Sequence, residues 1–247
     1  MTMVGFTHYA PTRLLFGEGQ LHRLGRQDLP AGRALIVTSP GLPGRSPEVL
    51  ELVAGQLEGK GVTPVPFHQV PPNPDTDTVA AAAALIRSEG CSLVIGLGGG
   101  SAMDTAKAAA LAAVNPADYW QYASGKRRKL DAPPLPVIAI PTTAGTGAQV
   151  SPYAVITSPE SGEKIGFGTA DTAPMLAVVD PALTVSVPPF PTACQGFDAL
   201  FHAAETVLNR NSNPVAEMYA LKALALLGAF LPAAVADGSD MEARTQV

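Results

Sequence analysis

The stretch Val94-Ile95-Gly96-Leu97-Gly98-Gly99-Gly100-Ser101 places four glycines in five positions, between a strongly apolar run and an alanine-rich run of helical character. Ordered glycine loses more conformational entropy than any other residue, so the chain must gain something from having no side chains there. A strand that ends in such a loop and re-enters a helix leaves the first helical N–H groups pointing outward, where the helix dipole favours an anion. Bare main chain also lets a diphosphate approach closely. The stretch therefore dictates a strand–loop–helix junction and points to a phosphate-bearing cofactor. Its match to G-x-G-x-x-G is imperfect, because Ser101 stands at the last glycine and no ribose-binding acid follows about twenty residues on. Capping is the competing explanation: Ser101 caps the helix and Asp104, three residues on, closes a capping box.

The flanking pattern extends this junction into a fold. Apolar runs at 33–38, 62–67, 91–97, 135–140 and 175–179 alternate with helix-like segments at 47–57, 77–89 and 102–114. Pro64 and Pro66 mark the second run as a sheet edge. Continuous apolar strands alternating with helices predict a parallel sheet covered on both faces. Residues 150–157 and 164–167 look extended, joined by a polar turn. After a proline-rich hinge at 185–191, only helical stretches follow, at 193–208 and 214–236. The expectation is an α/β domain over 1–187 and the start of an all-helical domain over 188–247.

A second small-residue loop, Pro141-Thr142-Thr143-Ala144-Gly145-Thr146-Gly147, ends another strand, at the edge where open α/β sheets bind ligands. Hydroxyls of Thr142, Thr143 and Thr146 suit phosphate and ribose oxygens, although threonine-rich turns also satisfy themselves. Further on, Asp198 and His202 stand four apart and share a helix face. They can present a carboxylate and an imidazole to one divalent ion such as iron or zinc, or simply form a helical ion pair.

Composition narrows the function classes. Charged residues make up 15% and the net charge is −5, which excludes a nucleic-acid footprint. The one basic cluster, Lys126-Arg127-Arg128-Lys129, reads as a solvated loop. Cys91 and Cys194 form no disulfide framework or CxxC pair, which suits a reducing cytoplasm. The first residues lack signal-peptide blocks, and glycine, proline or charge interrupts each apolar stretch before the length of a membrane span. A cytoplasmic protein with no membrane partner is expected.

Together these motifs resemble the iron-containing (group III) alcohol dehydrogenase family. Gly98-Gly99-Gly100-Ser101 with Asp104, Ala106 and Lys107 is similar to its GGGSxxDxAK signature, and residues 141–147 to its PTTAGTG loop. Gly196, Asp198, Ala199, His202, Ala203 and Glu205 follow its metal-helix signature. The resemblance implies a dinucleotide-binding α/β domain followed by a helical metal-binding domain, an architecture shared with dehydroquinate synthase, with a catalytic cleft between them. It implies NAD or NADP on Gly98, Gly99, Gly100 and Ser101, with Asp104, Thr142, Thr143, Thr146 and Lys164 around the cofactor. Ser39 and Asn73 match positions on the adenosine side. Asp198 and His202 match the first two of four metal ligands, for Fe2+ or alternatively Zn2+, a Lewis acid acting while hydride passes between nicotinamide and a small alcohol or aldehyde.

Three departures matter. Ser39 replaces an aspartate that would repel a 2′-phosphate, so NADP is admitted. Gln149 replaces a glutamate, with no consequence derived. The family's other two metal ligands are histidines well downstream, whereas the histidines here are His8, His22, His68 and His202. A fragment or a naturally shortened form is therefore expected, with weak metal binding, low dehydrogenase activity, uncovered apolar surface near 220–227, and homo-oligomerisation, a dimer first. Competing readings are a lyase resembling dehydroquinate synthase, a metal-free enzyme resembling maleylacetate reductase, and a non-catalytic nucleotide-binding module. Retention of both Asp198 and His202 speaks against the metal-free one.

Overall fold

The structure, a computed structural model, describes residues 5–115, 118–123 and 128–247. The described strands are β1 (Arg13–Phe16), β2 (Gly32–Val37), β3 (Val62–Phe67), β4 (Leu93–Gly98), β5 (Val137–Pro141), β6 (Ala154–Thr157), β7 (Lys164–Phe167) and β8 (Leu176–Val179). The helices are α1 (Leu42–Arg45), α2 (Pro47–Glu58), α3 (Thr76–Glu89), α4 (Gly100–Val114), α5 (Tyr119–Ala123), α6 (Pro189–Leu208), α7 (Pro214–Ala236) and α8 (Met241–Gln246). The chain divides into two compact units, Pro11–Thr142 with Ala148–Asp180, and Met1–Ala10 with Thr143–Gly147 and Pro181–Val247. The division falls at Pro181 rather than at 188, and the Thr143–Gly147 segment groups with the helices.

In the first unit six strands form one sheet in the order β1-β8-β5-β4-β2-β3, every pairing parallel. The central strands β4 and β5 are buried at every position, the pattern of strands covered on both faces. β3 lies at the edge, as Pro64 and Pro66 require, because only one side of it is called on to donate. From β2 the chain steps outward to β3 and then returns to β4 on the other side of β2. The β2/β4 pair is thus the point where the winding reverses, with Val37 opposite Gly96. Ligands of open sheets bind at the carboxyl ends of such a pair.

α3 begins where Asp75 accepts hydrogen bonds from the Thr78 N–H and hydroxyl (2.8 and 2.7 Å) and stops at the left-handed Gly90. α4 is buried without a break from Ala102 to Ala112, so its alanines let it lie close on the sheet. β6 and β7 pair antiparallel as a hairpin.

In the second unit α6 packs on α7, and α8 is pinned by the Arg244 guanidinium, which donates to Thr192 Oγ1 (2.9 Å) and to the carbonyls of Val187 and Gly238 (both 3.0 Å).

Several expectations need correction. The prolines at 188–191 are no hinge but the start of α6, where a missing N–H costs nothing. β1, α5 and α8 escape the sequence reading: α5 and α8 are shorter than two helical turns, and β1, exposed at three of its four positions, shows no apolar alternation. α7 is, among the described residues, a helix long and apolar enough by length and composition to cross a membrane, despite Lys222 and Pro232. Of the apolar surface expected near 220–227, Leu221 is exposed, whereas Ala220 and Leu227 are buried. Of the basic cluster, Lys126 and Arg127 lie outside the described residues. Arg128 and Lys129 are exposed, with Arg128 paired to Asp131 (3.3 Å) and lying over the Tyr122 ring.

Candidate functional site

The glycine loop has two kinds of glycine. A Cβ on Gly96 would lie 2.8 Å from the Cα of Met103, so this residue lets α4 sit against β4. Gly98 has φ +145°, and a Cβ there would come within 3.1 Å of Ala102 Cβ. Packing and backbone conformation therefore each require glycine at these two positions, apart from any cofactor approach. Gly99 and Gly100 are different. Both are half-buried, and they form the N-cap and first residue of α4, where no side chain accepts from the free N–H groups.

The capping box does not form. Asp104 turns away from the helix start: its Oδ2 accepts from the Val155 N–H at 3.0 Å, and its Oδ1 lies 3.0 Å from Lys107 Nζ. Lys107 is fully buried and also donates to the carbonyls of Ala148 (3.1 Å), Ser151 (3.3 Å) and Tyr153. Burial pulls its pKa below the usual lysine value, and the Asp104 carboxylate opposes that pull. Burial, aided by Asp104, raises the pKa of the Tyr119 phenol beyond its usual range.

At the carboxyl end of β2, Thr38 is wholly buried and its hydroxyl has no hydrogen-bond partner. Its backbone is satisfied: its N–H donates to Phe67 (2.9 Å) and its carbonyl accepts from Val70 (3.2 Å). The hydroxyl lies 3.9 Å from the point a Gly98 Cβ would occupy. An unpaired buried hydroxyl costs about 1–3 kcal/mol, and this one lies at the β2/β4 reversal, the edge where open sheets bind ligands. Sequence reasoning named the half-buried neighbour Ser39 and missed Thr38, which no spacing pattern flags.

The Thr142 N–H donates to the Gly98 carbonyl (3.0 Å), joining two of the sequence-predicted loops. The hydroxyls of Thr142 and Thr143 make no hydrogen bond within the described protein, so these threonines do not satisfy one another. Thr143 and the exposed Thr146 belong to the helical unit. Lys164, at the start of β7, donates to Asn73 Oδ1 at 2.7 Å, and Asn73 holds φ +55°, a conformation asparagine tolerates better than most residues.

On α6 Asp198 Oδ1 stands 3.8 Å from His202 Nε2, both half-exposed. Both can reach one ion. Among the described residues no third histidine, cysteine, aspartate or glutamate gathers with them. The pair fits as half of a metal site and does not complete one.

Comparison with known proteins decides the family. Residues 11–181 match iron-containing alcohol dehydrogenase, and residues 192–247 match the C-terminal region of the Fe-containing alcohol dehydrogenase family. The chain belongs to this family. It is 37% identical to a choline dehydrogenase of Bacillus subtilis over 96% of this chain and 60% of that protein. It is 33% identical to a 1,3-propanediol dehydrogenase of Klebsiella pneumoniae over 97% and 62%. The fold matches an iron-containing alcohol dehydrogenase from Thermotoga maritima (TM-score 0.89, 35% identity, 98% of this chain and 66% of that one). It also matches sulfoacetaldehyde reductase from Bifidobacterium kashiwanohense in complex with NAD+ (TM-score 0.87, 32% identity, 98% and 64%). The chain spans 56 to 63% of the length of the first curated relatives it matches. The parallel sheet and following helices agree with the α/β class expected from sequence.

Proposed function

We propose that this chain carries the nucleotide-binding part of an NAD(P)-dependent alcohol dehydrogenase or aldehyde reductase. The observation that carries the reading is the uncapped start of α4 beside the orphaned Thr38 hydroxyl at the β2/β4 reversal. Gly99, Gly100 and Ser101 offer N–H donors to a diphosphate, with Thr38 and the Thr142 hydroxyl at hand for phosphate or ribose oxygens. A nicotinamide dinucleotide bound there supplies the hydride chemistry. Lys164, oriented by Asn73, places a positive charge on the hairpin. Ser39 carries no charge to repel a 2′-phosphate, so NADPH binds as well as NADH.

The relatives' names support small alcohols and aldehydes as substrates, and iron ahead of zinc as the metal. Asp198 and His202 would contribute two ligands. Among the described residues nothing completes the set. That incompleteness favours a second reading, a nucleotide-binding module without turnover. Two unpaired cysteines, one buried and one exposed, suit a reducing cytoplasm, and the exposed apolar residues of α6 and α7 suit a homo-oligomer.

Fluorescence titration with NADH and NADPH tests the reading. Saturable binding of both is expected, and absence of binding by either overturns it. NADH formation from simple alcohols in the presence of added iron supports the dehydrogenase. Binding without turnover supports the module.

A further inference from the structure

The geometry points to Asp104 and Lys107 as a positioning pair that sets the β6–β7 hairpin, and with it Lys164, without touching cofactor. This rests on the cofactor reading above. Lys107, buried within α4, gathers the carbonyls of Ala148, Ser151 and Tyr153 with the carboxylate of Asp104, whose second oxygen takes the N–H of Val155 in β6. One turn of α4 thus holds four points of segment 148–155, the carbonyls of Ala148, Ser151 and Tyr153 and the N–H of Val155. The first turn of the same helix is the proposed diphosphate site.

The hairpin transmits that placement. β6 pairs with β7 so that Thr157 stands opposite Lys164. The Thr157 N–H donates to the Pro74 carbonyl at 3.0 Å, and Lys164 reaches Asn73 one residue before it. The path from the glycine loop's helix to the Lys164 ammonium is therefore continuous, through groups with little freedom. Both oxygens of Asp104 are engaged within this path. A carboxylate so committed is a poor cofactor ligand. A buried ammonium is costly unless carboxylate and carbonyls surround it, so loss of one partner loosens the others.

Asp104→Asn, which keeps the shape and an acceptor for Val155, is compared with Lys164→Ala and the double variant, each well below its melting temperature. Amide hydrogen exchange is read without cofactor, and NADH affinity by titration. Asp104→Asn is expected to speed exchange across 148–157 and to weaken NADH by about tenfold, an interaction of the size contacting groups show. In the Lys164→Ala background the same change is expected to add little. Weakened binding with exchange unchanged, and effects that multiply, make Asp104 a direct cofactor contact and overturn the proposal. Faster exchange with unchanged affinity also overturns it, leaving the pair a stability element alone. Failure of the unsubstituted chain to bind NADH overturns the cofactor reading together with the positioning role, and shows before any substitution is made.

Discussion

At the scale of single residues, Thr38 is where stability and binding make opposite demands. Its hydroxyl is buried without a partner, so Thr38→Val removes an unsatisfied group at nearly constant volume. The free protein is expected to be no less stable, and by up to about 1 kcal/mol more so, while NADH affinity falls severalfold. Thr38→Ser restores affinity. Thermal melts and NADH titrations of the two variants check this, and unchanged binding by Thr38→Val removes Thr38 from the site. Residue identities were legible from sequence only where a spacing carried them. The GGGSxxDxAK run located the loop, and i,i+4 spacing placed Asp198 and His202 on one face. Spacing says nothing about a threonine whose meaning comes from burial. It also leaves Asp104 open between a cap and a cofactor contact, because a capping box and a long-range bond to Val155 look identical in the sequence.

Elements were legible where an apolar run or face marked them, so that the four-residue β6, β7 and β8 could be read and the equally short β1 could not. The buried strands β2, β4 and β5 announced themselves as apolar runs, and α4 as an alanine face, whereas the four-residue edge strand β1 carries no period to detect. α5 escaped for the same reason, yet it shapes the alkaline behaviour. Its Tyr119 phenol is buried, donates to the Ala154 carbonyl at 3.4 Å, and has its pKa raised by burial and by Asp104. The unfolded chain ionises this phenol near 10.0, the folded chain only well above it, so the contribution is intact below pH 10.0 and lost as pH rises beyond. Lys107 acts in the opposite sense. Its folded pKa lies below 10.5, so the unfolded chain holds more protons and stability rises with pH, but only up to that value. Above it the raised Tyr119 phenol withdraws stability, with a slope of up to about 1.4 kcal/mol per pH unit. Denaturant unfolding between pH 10.5 and 12 should show this fall, and Tyr119→Phe should flatten it. An equal slope in both proteins assigns the alkaline loss elsewhere.

For the whole molecule, the helical unit carries both the Asp198–His202 pair and a row of exposed apolar side chains. Asp198 and His202 are two donors on one exposed helix face, and two ligands hold a divalent ion weakly without a third. Protein expressed in iron-supplemented medium and passed over a desalting column is expected to retain well under one metal per chain by elemental analysis; a stoichiometric ion refutes this. The same helix carries Phe190, Phe197, Phe201 and Leu208, with intervals of seven, four and seven residues that return to one side of α6. They are 79%, 54%, 59% and 82% exposed, and Met218, Tyr219 and Leu221 of α7 are exposed as well. Isolated exposed apolar groups are ordinary, but an aligned row on one helix with more on the next makes a patch that water disfavours. Concentration-dependent self-association follows, visible by light scattering and more marked at high salt, where charge repulsion from the net −5 is screened. Phe190→Glu with Leu208→Glu places charge at the two most exposed points of the row without opening a cavity. This double variant should scatter as a smaller species than its parent at the same concentration. If both behave alike across the concentration series, the row plays no part in association, and the apolar residues of α7 are the next to carry the same substitution.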